Sequence, residues 1–158
     1  MNRLFGLWMV IAGGCLIALA SDYRLMAAGK GRIGVPELLV GVPLPSSPIE
    51  IVRYAVPGDR AQRVLYSGNT YTPDEALALG LIDEVVDPAV LEERAMDHAR
   101  RMAALPPKTF ALTKHQLRRA AIERMKETAV FDDEVREVWS APETHTHIRE
   151  YLARTVKK

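Results

Sequence analysis

The chain has 158 residues, 48% of them hydrophobic and 26% charged, and its 21 lysines and arginines against 20 aspartates and glutamates leave a formal net charge of +1. That is the size and balance of one globular domain; it excludes a disordered chain, a basic nucleic-acid-binding surface and an acidic tail. Cys15 is the single cysteine, which excludes an internal disulfide and a cysteine/histidine zinc framework and makes a reducing, cytoplasmic setting the expectation.

At the start, Met1-Asn2-Arg3 precedes an apolar run from Leu4 to Ala20, and Ala18-Leu19-Ala20 resembles a signal-peptidase site. A basic start, an apolar stretch and a small-residue exit mark a secretory leader, so a secreted small helical protein is one reading. Against it, Gly13-Gly14 interrupts the run, which is also short for a membrane span, so no stable membrane insertion is expected. In the competing reading, residues 7–11 form a buried strand, 15–20 a short buried helix, 22–27 a second strand and 29–31 a turn. Pro36 opens a helical turn carrying Glu37 and Leu38-Leu39-Val40. Pro43, Pro45 and Pro48 with Ser46-Ser47 read as a loop, followed by a helix over 49–54.

Thr72-Pro73-Asp74-Glu75 combines a cap, a proline at the first helical position and a glutamate three residues after the cap. A short helix over 75–79 follows, stopped by Gly80, then a strand over 81–86. Helices are expected over 88–104, 109–128, 134–139 and 147–156. In the second of these, Leu117, Ala121 and Met125 share one face, with Arg118, Arg119 and Arg124 pointing elsewhere. Strands therefore gather at the start and helices fill the rest. Two or three strands do not make a comfortable sheet, so the chain is expected to borrow strands from a partner or to lack an N-terminal portion.

Few residues carry chemistry. Gly13-Gly14, at a strand-to-helix junction, exposes backbone N–H groups that can hold an anion or a developing oxyanion, although such a pair is more often a turn. Glu37 taken alone is a first-turn glutamate facing a helix dipole. Lys108, Lys114, His115, Arg118 and Arg119 form a basic patch that could meet phosphates but reads more readily as a solvated helix face. His145 and His147 lack partners for a metal site, so no metal is expected. Asp22 reads as a structural hydrogen-bonding group, and Cys15 as a buried small residue rather than a nucleophile.

The run Ala12-Gly13-Gly14-Cys15, its buried helix, Asp22-Tyr23-Arg24, and then Ile33-Gly34-Val35-Pro36-Glu37 resembles the signature of the crotonase, or enoyl-CoA hydratase/isomerase, family. Two further stretches are similar to that family: 67–86, with a glycine, a Thr cap, a Glu-Ala helix and a Gly-Leu-Ile strand, and 105–114, with prolines before a helix carrying Thr113-Lys114. The resemblance implies an α/β fold, the C-terminal part of a ClpP/crotonase-like spiral. Residues 1–70 would hold a partial core and 71–158 a helical region of the same continuous domain, with the family's N-terminal half missing. It implies an acyl-CoA thioester as substrate, with CoA part of the substrate and no separate cofactor. It places one oxyanion donor at Gly13, beside Gly14, the acid/base at Glu37, and Leu16 and Pro36 along the pocket. It also implies a homo-oligomer, a trimer or hexamer.

Hydratases of the family carry a first glutamate directly after the Gly-Gly-Cys turn, where this chain has Leu16. Leucine cannot activate water, so the resemblance favours double-bond isomerisation of an enoyl-CoA over the hydratase (lyase) reaction. The alternative is a catalytically inactive truncated homologue or assembly partner. Burial would raise the pKa of Glu37 and the helix start would lower it; the sequence leaves that balance open.

Overall fold

The computed structural model describes residues 11–155. The strand expected over 7–11 lies, but for Ile11, outside the described residues, as does the first half of the leader-like run. Gly13-Gly14 does open a helix, α1 (Gly13–Leu19), and Cys15 and Leu19 on it are fully buried. These two side chains join the core of the domain, while Ile17 on the same helix is exposed. Among the described residues, no helix is long and apolar enough to cross a membrane.

Four short strands form two separate pairs. β1 (Leu25–Ala27) lies parallel to β4 (Glu84–Val86), and β2 (Ile33–Gly34) antiparallel to β3 (Thr70–Tyr71). Between them run α2 (Glu37–Val40), α3 (Ser46–Ala55), α4 (Arg60–Ser67) and α5 (Pro73–Leu79). After β4 and a 3-10 turn at Pro88–Val90 come α6 (Leu91–Ala103), α7 (Pro107–Thr128), a second 3-10 turn at Ala129–Phe131, α8 (Asp132–Ser140) and α9 (Pro142–Thr155). The core joins Cys15 and Leu19 of α1 to Ile33 and Val35, to Val52 and Val56 of the α3 end, to Val64 of α4, and to Leu81 and Ile82. Few strands near the start and a helical remainder are as expected.

Several boundaries differ, two of them for a tertiary reason and one for a local one. The strand expected over 22–27 begins only at Leu25, because Asp22 turns out to meet α7: Lys114 Nζ and Arg118 Nη2 both ion-pair with its carboxylate. The strand expected over 81–86 is confined to 84–86, since Asp83 is taken by Arg24 in a two-pronged pair (Nε–Oδ2 2.8 Å, Nη2–Oδ1 2.7 Å). Arg24 also donates to Ala55 O and Gly80 O, so one guanidinium ties β1 to the ends of α3 and α5. The proline-rich loop is shorter than expected, because Pro48 sits in the first turn of α3, where a missing N–H costs nothing.

Helix α4 was not expected at all. Its length is eight residues, and its apolar positions, Ala61 and Val64, are few. On α7, Ala121 is buried as expected, but Leu117 remains 66% exposed. Of the three arginines expected to point elsewhere, Arg119 does, exposed and paired with Glu123 on its own helix, but Arg118 reaches Asp22 and Ala20 O, and Arg124 Nε donates to Glu50 Oε2 at 2.6 Å. Glu50 on α3 is 1% exposed and is also paired with Arg53, so a buried carboxylate pins α3 to α7. Part of the basic patch is thus an inward anchor and not a solvated face.

Candidate active site

Glu37 is the first residue of α2, a single helical turn that follows Pro36 and ends at Gly41 in the left-handed conformation (φ 89°). Pro36 caps this turn from just outside it rather than opening it. Glu37 is only 8% exposed, and its Oε2 is buried without a hydrogen-bond partner among the described residues. Burial pushes its carboxyl above the usual glutamate range, against a smaller opposing pull from its own backbone N–H. A one-turn helix has little dipole to offer, so burial wins the balance that the sequence left open.

The Gly-Gly turn is tied through Gly34 to the segment that leads into Glu37. Ala12 N–H donates to Gly34 O at 2.9 Å, and Ile11 bridges Gly34 in parallel. Gly34 lies three residues before Glu37, so one hydrogen bond couples the two motifs. Gly34 has to be glycine: a Cβ there would lie 2.3 Å from Asn69 O and 2.8 Å from Thr70 Cα, both backbone atoms of the adjoining β3 segment.

Gly13 itself is exposed, and a Cβ on it would meet nothing within 4 Å, so its backbone faces open space. The first intrahelical bond of α1 is Leu16 N–H to Ala12 O. The N–H groups of Gly13, Gly14 and Cys15 lie ahead of it, where a helix leaves its donors unpaired. Leu16 is half-buried against the core, and Pro36 is buried. Ala12 enters this turn at φ 61° and ψ −120°, a region in which side-chain-bearing residues are strained. Replacing Ala12 by glycine is expected to stabilise the fold by about 1 kcal/mol, seen as a higher urea midpoint with an unchanged slope.

Cys15 faces the same place from the core side. Burial, then the charge of Glu37, push its thiol up to about 12, against weaker opposing effects of the Gly34 backbone and Arg24. A thiol so poorly ionised and fully buried is no nucleophile, as the sequence suggested. Its reaction with a maleimide is expected only after unfolding; labelling of the native protein at the rate of the urea-unfolded chain would contradict the packing.

Of the two histidines near the C-terminus, one meets the end of α8 and the other the turn that carries Glu37. His145 Nε2 lies 2.9 Å from Trp139 O, and His147 Nε2 lies 3.4 Å from Leu39 O. No group of residues suited to a metal ion occurs among the described residues. Three clefts border α7 or α6, with volumes of about 420, 510 and 160 Å³; none is lined by Gly13, Gly14, Leu16, Pro36 or Glu37. The first is walled by Tyr54, Phe110 and the Asp22–Lys114–Arg118 cluster. What the described residues show is a helix-start glycine pair and, tied to it through Gly34, a segment leading to a buried carboxylate with an unpaired oxygen. Sequence reasoning missed Gly34, and only its position within the Ile33-to-Glu37 run hinted at it.

A glycine pair at a helix start and a buried carboxylate on a one-turn helix, joined through Gly34, are the features of the site among the described residues. The family model for enoyl-CoA hydratase/isomerase matches residues 9–156. The chain is 35% identical over 115 residues to enoyl-CoA delta isomerase 1, mitochondrial, of Mus musculus, covering 72% of this chain and 40% of that protein. It is likewise 35% identical over 105 residues to the probable enoyl-CoA hydratase EchA17 of Mycobacterium tuberculosis, covering 66% of this chain and 40% of that protein. Among solved structures, the human mitochondrial delta3-delta2-enoyl-CoA isomerase superposes with a TM-score of 0.83 at 28% identity, over 94% of this chain and 58% of that one. The chain belongs to the enoyl-CoA hydratase/isomerase family and has the crotonase fold. It spans about 40% of the length of these curated relatives.

Proposed function

We propose that this protein isomerises the double bond of an enoyl-CoA thioester, with Glu37 as the one acid/base. The observation that carries this reading is the buried, unpaired Oε2 of Glu37, on a carboxyl whose pKa is raised by burial. A desolvated carboxylate is a stronger base than one in water, which suits the weakly acidic proton beside a thioester. Glu37 takes that proton from C2 of a 3-enoyl thioester. The C2–H electrons shift toward the carbonyl, and negative charge gathers on the thioester oxygen. Gly13 N–H, with Gly14 beside it, supplies one of the donors that stabilise this charge. The protonated Glu37 then returns the proton at C4, leaving the 2-enoyl product with no net change in atoms or electrons.

Leu16 supports isomerisation over hydration. It stands on α1 two residues after Gly14, and it offers no group to orient a water. The reading needs no metal and no cofactor beyond the CoA of the substrate. An assembly of identical chains remains part of it, by family resemblance.

The test is turnover by the purified chain of 3-enoyl-CoA to 2-enoyl-CoA, followed alongside hydration of 2-enoyl-CoA. Isomerisation that is lost in Glu37→Gln, with hydration at least about 100-fold slower, supports the reading. A chain that hydrates 2-enoyl-CoA and leaves 3-enoyl-CoA untouched would refute it.

A further inference from the structure

The turn that carries Glu37 cannot hold itself in place. A four-residue helix has no stability of its own, so its orientation comes from what packs on it. Gly41 N–H and Val42 N–H tie back to Glu37 O and Leu38 O, which closes the turn locally. Two contacts from distant parts of the chain then fix it. From the end of α4, Gly68 lets Leu39 approach so closely that a Cβ on Gly68 would lie 2.6 Å from Leu39 Cγ. From α9, the His147 ring occupies the space that Gly41 leaves open, where a Cβ would fall 2.4 Å from His147 Cδ2. His147 Nε2 is also 3.4 Å from Leu39 O, a carbonyl near the open end of the turn. A carbonyl only accepts, so Nε2 carries the proton and donates. One helical turn earlier on α9, Thr144 is buried, so this stretch of the helix packs on the protein.

We propose that His147 is a positioning residue: reaching across from α9, its imidazole clamps the Glu37 turn through Leu39 O and Gly41 and so sets where the Glu37 carboxylate points. It does not touch substrate. The inference rests on Glu37 being the acid/base, but its geometry and one of its readouts do not depend on turnover. The ring, itself exposed, braces the outer side of the turn at Leu39 and Gly41. Without it, α2 gains freedom, water reaches the carboxylate, and its alignment with a bound thioester is lost.

The test measures the Glu37 carboxyl directly, by carbon-13 NMR titration of glutamate side chains, with the signal assigned by its absence in Glu37→Gln. In the wild-type chain its midpoint is expected above the ordinary glutamate range. In His147→Ala it is expected to fall toward that range. In His147→Gln, which keeps an N–H donor, it stays near the wild-type value. With 3-enoyl-CoA, His147→Ala is expected to lose about ten-fold in kcat with KM within about two-fold, the pattern of a misaligned base and intact binding. His147→Gln recovers most of that loss.

A wild-type midpoint in His147→Ala overturns the inference, as does an equal loss in His147→Gln. If His147→Ala does not fold, His147→Phe, which fills the ring's place and lacks the donor, is read by the same criteria. Midpoints that shift as stated in a chain with no turnover would leave the clamp standing and remove the proposed activity.

Discussion

Glu37→Gln is expected to lower kcat/KM for 3-enoyl-CoA by about 1000-fold or more while making the folded protein more stable at neutral pH. The activity loss follows from the proposed single base: with Leu16 at the position where the resemblance puts the hydratases' first glutamate, that reading gives the proton no second carboxylate to move to. An amide of the same shape can neither accept it nor return it. A loss of about 1000-fold corresponds to roughly 4 kcal/mol of transition-state stabilisation, within the reach of one general base.

The stability gain has a definite sign. Burial raises the folded-state pKa of Glu37 above its unfolded value, so the folded chain binds that proton more tightly. Below the ordinary glutamate pKa the group is protonated in both states and costs nothing extra. As pH rises through the window between the ordinary and the raised value, the unfolded chain ionises first and wild-type stability falls. Above that window the full cost of a buried, unpaired carboxylate remains. Glutamine never ionises, so the two proteins should diverge from about pH 4 upward, the mutant being the more stable, in urea melts run at successive pH values. Parallel curves for the two proteins would mean that Glu37 is solvated. In the wild type, the rising limb of kcat/KM against pH should lie above the ordinary glutamate range, since the base acts only when ionised.

The second large effect is expected from Gly34→Ala. The added methyl carbon would press on the carbonyl oxygen of Asn69 and on Thr70 Cα, main-chain atoms that no rotamer change can move aside. Relief requires β2 and β3 to separate, which also stretches the hydrogen bond from Ala12 N–H to Gly34 O. A cost of about 3 kcal/mol is expected, the upper part of the range for overpacked sites. For a chain of this length that is a drop of roughly 6–12 °C in Tm. Turnover should fall with it even below the melt, because Gly34 is the residue through which the Gly-Gly turn and the Glu37 turn keep their spacing. An unchanged Tm would show that the β2–β3 approach is looser than described.

Local chemistry was readable from the sequence wherever neighbouring residues decide the outcome. Thr72 and Glu75 form the reciprocal cap expected of them: the Glu75 carboxylate accepts from Thr72 N–H at 2.8 Å, and Thr72 Oγ1 accepts from Glu75 N–H. Gly80 ends that helix in the left-handed conformation, as glycine just past a helix should. The helix after Gly13-Gly14, the Pro-Glu turn and the family signature were legible for the same reason: each is a pattern of adjacent residues.

Only the tertiary structure could decide the rest, because it depends on residues far apart in the chain. Nothing near Glu50 in sequence announces Arg124, 74 positions away, as the partner of a buried carboxylate. Nothing near Asp22 announces Lys114 and Arg118. The direction of the Glu37 pKa shift belongs here too. Pro36 and Glu37 by themselves leave dipole against burial undecided, and it is burial by the surrounding protein that sets the sign. The sequence alone determined which residue types stand at the site and in what local turns. Packing determined how close those turns lie, and whether the carboxylate between them meets water.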